Sequence, residues 1–218
     1  MTGVVFDFGN VLYHFDYRRM ARELAGEAGF PLLDGFVGSP LQIAYETGRA
    51  NLEDVLAGFS KMGFPVSRER FLEAFLAVFD PVEGMASLVE TLAARRPLGL
   101  LSNTCPEHAR LFIETVPEMR HIPARVYSFE VGHMKPHPEI YLAAARAMAL
   151  PPEELVFTDD IPDLAAAAEA VGMTGIPFHG AADLARHLAG LGFTELIGWE
   201  PPPGDGASET VKEPGPQD

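Results

Sequence analysis

Near its N-terminus the sequence contains the stretch Val4-Val5-Phe6-Asp7-Phe8-Gly9-Asn10, a short apolar run that ends in one acid and a turn. β-Branched and aromatic residues in such a run are typical of a buried strand, and the Gly-Asn pair is typical of the turn that closes it. A carboxylate at this place is costly to bury without a purpose. Asp7 is therefore the first candidate functional residue.

Further short apolar runs predict the other strands of the same sheet. They lie at residues 98–101, 125–131, 155–158 and 174–178. Helical patterns separate them, among them a helix that begins after His137 with Pro138 at its first position and an alanine-rich helix at 162–171. Strands that alternate with helices predict a doubly wound α/β fold, with about five parallel strands covered on both faces.

Residues 15–79 differ, because they contain helical patterns and no convincing strand. Asn51 and Ser67 are predicted to be N-caps of two of these helices. A helical block inserted after the first strand would lie over the carboxyl edge of the sheet, where such sheets bind ligands. We therefore expect a core domain of residues 1–14 and 80–199 and a helical cap of residues 15–79.

The charge balance restricts the partners. The chain has 218 residues with 16 basic and 31 acidic side chains, a net charge of −15. No run of Lys or Arg offers a basic patch, so binding to nucleic acid or to an anionic membrane is not expected. Residues 200–218 combine acids with prolines and lack an apolar pattern, which predicts a disordered tail.

The cysteine content and the N-terminus point to a compartment. Cys105 is the single cysteine, which excludes an internal disulfide and a zinc site built from several thiolates. We expect Cys105 to be a small buried apolar residue rather than a nucleophile. With no visible secretory signal and no apolar run long enough to span a membrane, a cytoplasmic location is expected.

Polar residues follow the predicted strands at their carboxyl ends, which share one edge in a parallel sheet. They are Asp7, Ser102, Asn103, Lys135, Asp159 and Asp160. Three carboxylates in one crevice repel one another unless cations compensate them. Lys135 supplies one positive charge, and a hard divalent cation with oxygen ligands, Mg²⁺, would supply two more. Such a site attracts a phosphate monoester and makes Asp7 a candidate nucleophile.

Four segments together resemble the motifs of the haloacid dehalogenase superfamily, in the same order. They are residues 4–12, Leu100-Leu101-Ser102-Asn103-Thr104, Gly132-His133-Met134-Lys135-Pro136 and Val156-Phe157-Thr158-Asp159-Asp160. The resemblance covers residues 3–190 and implies a Rossmann-like core with a small helical cap. It also implies a Mg²⁺-dependent phosphatase that acts on a small phosphorylated metabolite through an aspartyl-phosphate.

The same resemblance implies a role for each matching residue. Asp7 matches the phosphoryl-accepting nucleophile, and Lys135 matches the lysine that balances charge. Ser102 and Asn103 match the phosphate-binding turn. The magnesium ligands would be the Asp7 and Asp160 carboxylates and the Gly9 carbonyl, with Asp159 assisting directly or through water.

One position departs from the pattern of most phosphatases in that superfamily, which carry a general acid–base Asp two residues after the nucleophile. Here that residue is Gly9. The turn with this glycine resembles the first motif of a subgroup of sugar-phosphate phosphatases, the glucose-1-phosphate type among them. General acid catalysis is typically worth about 10²–10⁴-fold, so we expect poor leaving groups to suffer most unless His14 or a residue of the cap donates the proton.

Two other functions stay open at this point. One is a metal-independent 2-haloacid dehalogenase, against which the acid pair 159–160 speaks. The other is a catalytically weak binding or regulatory module, against which the retained charged residues speak. Residues 46–49 are either a substrate-lining loop or a surface turn, and Asp163 is expected to be a surface residue of a first helical turn rather than a metal ligand.

Overall fold

The computed structural model describes residues 1–203, so most of the predicted tail lies outside the described residues. Its centre is a five-stranded parallel sheet, whose strands are β1 (Gly3–Phe6), β4 (Leu98–Ser102), β5 (Ala124–Tyr127), β6 (Leu155–Asp159) and β7 (Thr174–Pro177). Their order across the sheet is β5-β4-β1-β6-β7. In the register, Phe6 lies opposite Leu100 of β4 and Thr158 of β6. The strand that carries Asp7 is therefore the middle strand.

Helices cover both faces of this sheet, as the alternation of patterns predicts. They are α6 (Met85–Ala93), α7 (Pro106–Leu111), α8 (Ser128–Val131), α9 (Pro138–Met148), α10 (Pro162–Ala167) and α11 (Ala181–Gly190). Val4 and Phe6 pack into one apolar cluster together with residues of α6 and α11. Val5 packs into the other cluster, with residues of α9. Successive side chains of a strand point to opposite faces, so β1 is buried on both sides and the doubly wound fold is confirmed.

A helical segment lies between the first strand and α6. It consists of α1 (Tyr17–Ala25), α2 (Phe30–Phe36), α3 (Pro40–Glu46), α4 (Leu52–Lys61) and α5 (Arg68–Leu76). The segment has a core of its own around Phe36, Phe59 and Phe71, into which Cys105 is buried. The predicted N-caps are confirmed, since the Asn51 and Ser67 side chains accept hydrogen bonds from the first turns of α4 and α5.

A short antiparallel ribbon joins this segment to the sheet domain. It is formed by β2 (Tyr13–Phe15) and β3 (Phe79–Pro81), with His14 opposite Asp80. The sequence did not predict it, because strands of three residues are too short to show a period of two. The ribbon ties the two ends of the helical segment together.

The structure corrects the predicted strand at residues 125–131. Its second half, Ser128–Val131, is the short helix α8. Ser128 is fully buried, and its hydroxyl accepts a hydrogen bond from the Thr104 N–H and donates one to the Thr104 carbonyl. This pair of bonds turns the chain at Ser128 instead of extending the strand. The predicted helix at 162–171 also changes character, since α10 ends at Ala167 and a 3₁₀ turn follows.

None of the helices among residues 1–203 combines the length and the apolar character that crossing a membrane would require.

Candidate active site

The carboxyl edge of the sheet brings a lysine between two acids. The Lys135 Nζ lies 2.8 Å from Asp7 Oδ1 and 2.5 Å from Asp159 Oδ2. All three residues are buried, and Asp159 is fully enclosed. Asp7 follows β1 and Asp159 ends β6, so the pairing of these two adjacent strands fixes the separation of the acids. The Lys135 Nζ also lies 5.3 Å from the centre of the Phe157 ring, which supports it from the side.

Burial and charge act against each other in this charged cluster, which we define as Asp7, Lys135 and Asp159. Burial raises the pKa of Asp7, Lys135 opposes the rise, and the Asp159 charge adds to it. Burial alone would lower the pKa of Lys135, but the two carboxylates outweigh it and the pKa of the ammonium is raised. Lys135 is therefore held as a cation between two carboxyl groups, and burial favours a proton on one of them, Asp7.

A fourth charged residue, Asp160, completes the edge. Its Oδ2 accepts a hydrogen bond of 3.0 Å from the Asn10 side chain, and burial raises the pKa of its carboxyl group. Asn10 has a left-handed backbone with φ +54°, which Asn tolerates better than most residues. Its Oδ1 accepts from the Phe15 N–H. The turn after β1 is thus fastened to β2 on one side and to Asp160 on the other.

The acids at this edge fit a hard divalent cation. Asp7, Asp159 and Asp160 each offer a carboxylate oxygen within 4.8 Å of the others. Asp159 has both oxygens engaged, one by Lys135 and the other by the Ile161 N–H at 2.9 Å. The Gly9 carbonyl belongs to the same turn as Asp7. An all-oxygen donor set with an excess of negative charge is the set that Mg²⁺ prefers.

The residues after β4 lie beside the charged cluster. Ser102 is buried at the end of the strand. The Asn103 amide holds the backbone of Lys135 at two points, because its Oδ1 accepts from the Lys135 N–H at 2.8 Å and its Nδ2 donates to the Lys135 carbonyl at 3.1 Å. The side chain that was expected to bind phosphate is thus also a clamp that positions the lysine.

A cleft of about 70 Å³ opens beside this edge. Gly9, Ser102 and Asn103 line it from the sheet, and Tyr17 and Glu46 line it from the helical segment. Glu46 is the last residue of α3. Its Oε1 accepts a hydrogen bond of 2.8 Å from Gln42 Nε2, which also donates to the Tyr17 hydroxyl at 2.9 Å. Burial raises the pKa of Glu46 to about 6, while Gln42 and Lys135 oppose the rise.

Other residues singled out in the sequence lie elsewhere. His14 is exposed on β2 and does not line the cleft. Asp163 is exposed in the first turn of α10, as expected, and is not part of the acid group at the edge. Arg49 is exposed, and its Nε donates to the Thr47 hydroxyl, so of residues 46–49 only Glu46 lines the cleft.

The sequence reasoning missed two residues of this cleft region, Gln42 and His108. Gln42 lies one helical turn before Glu46 on α3, a spacing that brings side chains together, but nothing in the sequence marks it as buried. His108 is buried on α7, its ring stacked on Phe75 with centroids 3.4 Å apart, and its Nε2 donates to the Phe75 carbonyl. An apolar pattern along α7 is the one sequence signal that could have indicated the burial of His108.

The fold and the site together define a class of protein. A doubly wound α/β domain with acids and a lysine at the carboxyl edge of its sheet, and helices inserted after the first strand, has its polar cluster where α/β enzymes of this class bind their ligands.

Comparison with known proteins gives the family. The haloacid dehalogenase-like hydrolase family matches residues 1–172, so the chain belongs to it. A curated relative, chloroplast flavin mononucleotide hydrolase 1 of Arabidopsis thaliana, is 27% identical over 155 residues, which are 71% of this chain and 63% of that protein. This chain therefore spans less than two thirds of that relative.

Solved structures share the fold. A haloacid dehalogenase-like hydrolase from Porphyromonas gingivalis has a TM-score of 0.75 at 23% identity, over 88% of this chain and 97% of that one. A haloacid dehalogenase family enzyme from Bacteroides thetaiotaomicron, solved with magnesium and inorganic phosphate, has a TM-score of 0.72 at 22% identity, over 83% and 96%. At this identity the likeness concerns the fold alone.

Proposed function

We propose that this hydrolase is a Mg²⁺-dependent phosphatase that cleaves a small phosphorylated metabolite through an aspartyl-phosphate on Asp7. The observation that carries the proposal is the position of Lys135 Nζ, 2.8 Å from Asp7 and 2.5 Å from Asp159 at the carboxyl edge of the sheet. The Lys135 cation opposes the rise in the Asp7 pKa that burial causes, and so favours the ionised nucleophile. A buried carboxylate kept in this way is suited to nucleophilic attack.

The Asp7 carboxylate performs the covalent step. One oxygen attacks the phosphorus atom, the bond from phosphorus to the leaving oxygen breaks, and that oxygen takes a proton to leave as an alcohol. Water then attacks the aspartyl-phosphate, which releases inorganic phosphate and restores Asp7. Asp7, Asp160 and the Gly9 carbonyl would hold Mg²⁺, which neutralises charge on the phosphoryl oxygens when bound.

The residues after β4 bind the phosphoryl group in this proposal. The Ser102 hydroxyl and the N–H groups of the turn that follows it donate to phosphoryl oxygens. Lys135 adds positive charge and is kept in place by the Asn103 amide. These two hydrogen bonds matter because the ammonium of Lys135 is carried on a flexible side chain, which is easier to position when the backbone of the residue is fixed.

The helical segment acts as a cap in the same proposal, with residues 1–14 and 80–199 as the core domain and 15–79 as the cap. Tyr17 and Glu46 already line the cleft beside the sheet edge. A cap in this place excludes bulk water from the reaction and contacts the part of the substrate beyond its phosphoryl group. Substrate selection is therefore assigned to the helical segment.

Two relatives support this function without settling the substrate. The Arabidopsis relative is named for the hydrolysis of flavin mononucleotide, a primary phosphate ester. The Bacteroides enzyme was solved with magnesium and inorganic phosphate. The glycine at residue 9 favours instead an anomeric sugar phosphate, whose leaving group departs more easily.

An assay of phosphate esters with Mg²⁺ tests the proposal. It compares an anomeric sugar phosphate with flavin mononucleotide and with an activated aryl phosphate, for the natural chain and for Asp7→Asn. We expect phosphate release that EDTA abolishes and Mg²⁺ restores, and a loss of about 10⁴-fold or more in kcat for Asp7→Asn. Phosphate release that survives EDTA would contradict the Mg²⁺ requirement. Halide release from a 2-haloacid in EDTA would favour a dehalogenase, and no release from any ester favours a binding module.

A further inference from the structure

The cleft poses a problem of proton supply. Gly9 lines the cleft at the sheet edge, and it has no side chain that could donate a proton. Three residues that line the cleft carry an acidic or basic side chain, Tyr17, Glu46 and His108. Alkoxide leaving groups depart slowly without a proton donor, so one of these groups has to supply it if the enzyme acts on alkyl phosphates.

Two of the three cannot do so. His108 uses its Nε2–H to donate to the Phe75 carbonyl, and burial lowers its pKa to about 3, so it is neutral at pH 7 with its N–H committed. Burial and the nearby Glu46 charge raise the pKa of Tyr17 far above its ordinary value. The Tyr17 hydroxyl accepts a hydrogen bond from Gln42 and keeps its own proton. With its pKa raised so far, the hydroxyl is too weak an acid to give that proton to a leaving group.

One oxygen of the Glu46 carboxyl group is held by a hydrogen bond, and the other is not. Gln42 Nε2 holds its Oε1 at 2.8 Å, and Gln42 is itself fixed, because its Oε1 accepts from the Gly38 N–H at 2.5 Å. The second oxygen, Oε2, makes no hydrogen bond among residues 1–203. Burial raises the pKa of the carboxyl group to about 6, close to the value at which an acid both carries and releases a proton near pH 7.

We propose that Glu46 is the general acid–base residue of this site. Protonated Glu46 gives its proton to the leaving oxygen as the bond to phosphorus breaks. The resulting carboxylate takes a proton from the water that attacks the Asp7 phosphoryl group, so Glu46 regains its proton at the end of each cycle. This inference rests on the proposed phosphatase function, and it places a catalytic group on the helical segment rather than on the sheet.

The test compares leaving groups in Glu46→Gln, which keeps the size of the side chain and an oxygen for Gln42. For an alkyl phosphate we expect kcat to fall by about 10²–10⁴-fold. For 2,4-dinitrophenyl phosphate, whose leaving group needs no proton, the first burst of dinitrophenolate should keep its rate within about threefold. Later turnovers should slow, because the water step still lacks its base.

A second variant tests the inference by rescue of activity rather than by its loss. A Cβ added at Gly9 meets no atom within 4 Å, and its φ lies outside the left-handed region. An aspartate can therefore be added there, and Gly9→Asp combined with Glu46→Gln should regain at least tenfold of the lost alkyl phosphatase rate. Glu53→Gln, an exposed acid on α4 that pairs with Arg68, is the matched control and should be silent.

Each outcome has a meaning. If Glu46→Gln lowers the burst rate with the aryl phosphate as much as it lowers kcat with the alkyl phosphate, Glu46 has a structural role and the inference is overturned. An unchanged kcat with the alkyl phosphate overturns it as well. If the natural chain hydrolyses neither ester, the proposed function itself fails, which is a different result. Circular dichroism of each variant confirms that folding is preserved before the rates are compared.

Discussion

Two groups of side chains meet at the cleft and are held by different forces. The charged cluster of Asp7, Lys135 and Asp159 depends on ion pairs of 2.8 and 2.5 Å. The helical cluster, which we define as Tyr17, Gln42 and Glu46, depends on hydrogen bonds made by one amide. The first group joins Asp7 to two residues more than a hundred positions further along the chain, and the second joins residues within thirty positions of one another.

The distant group was nevertheless the easier one to find. Carboxyl ends of parallel strands share an edge, so any polar residue that follows a strand can be placed there from the sequence. The helical cluster depends on a hydrogen bond from Gln42 of α3 to Tyr17 of α1, which no periodicity specifies. Whether a group of site residues can be predicted from the sequence therefore depends less on their separation along the chain than on whether a rule of the fold brings them together.

The largest expected effect is the loss of stability when the cation of the charged cluster is removed. Lys135→Met removes the one cation between two buried carboxylates and should lower the free energy of unfolding by about 3–5 kcal/mol, because an uncompensated buried charge remains. Urea unfolding in EDTA at pH 7 measures it. Lys61→Met, at the exposed end of α4, is the control and should change stability by less than about 0.5 kcal/mol.

A double-mutant cycle sharpens this result. In the Asp7→Asn background the cluster has lost one negative charge, so Lys135→Met should cost at least about 1 kcal/mol less than in the natural chain. Equal costs in both backgrounds would mean that Lys135 stabilises the fold through packing on Phe157 and not through its charge.

The sequence predicted the sheet domain well for the same reason. Each of the five sheet strands overlaps a predicted run, and the residues at their ends, such as Asp7 and Asp159, lie together as the topology requires. The errors occurred where tertiary contacts prevail over local pattern. The hydrogen bonds of Ser128 with Thr104 turn a predicted strand into a helix.

The candidate site shows the same division. The residue types at the sheet edge could be read from the chain, but the engagement of both Asn103 amide atoms with the Lys135 backbone could not. Nor could the partner of Glu46 be found, since no sequence pattern shows that Gln42 is buried or that it bonds to Tyr17. Roles that depend on where a side chain points required coordinates.

The next effect concerns the helical cluster. Gln42→Leu removes the amide that bonds Gly38, Tyr17 and Glu46, and it should lower stability by about 1–3 kcal/mol because buried groups lose their partners. It should also raise the pKa of Glu46 further, since the Gln42 bond opposes the rise. Urea unfolding measures the first change, and NMR titration of the Glu46 side chain measures the second.

Tyr17→Phe serves as the comparison for that variant. It removes one acceptor and leaves the bond between Gln42 and Glu46 in place, so its cost should be smaller and the pKa of Glu46 should not rise. A cost for Gln42→Leu no larger than that for Tyr17→Phe would show that the helical cluster is a loose set of contacts, which would break the contrast with the charged cluster.

The last effect is a dependence of stability on pH, and it comes from His108, where α7 meets the helical segment. Burial lowers the pKa of the folded His108 to about 3, against an ordinary value of 6.5. Between these values the unfolded chain binds a proton that the folded chain does not, so stability falls as the pH is lowered through this range. The expected contribution is about 1.4 kcal/mol per pH unit.

His108→Gln should remove that slope while keeping an N–H that can donate to the Phe75 carbonyl. In urea unfolding from pH 7 to 4, the natural chain should lose stability relative to the variant as the pH falls below about 6.5, whatever their separation at pH 7. The exposed His179→Gln should run parallel to the natural chain. Parallel curves for His108→Gln would mean that the folded state accepts a proton at His108, and the contact between α7 and the helical segment would then be open to water.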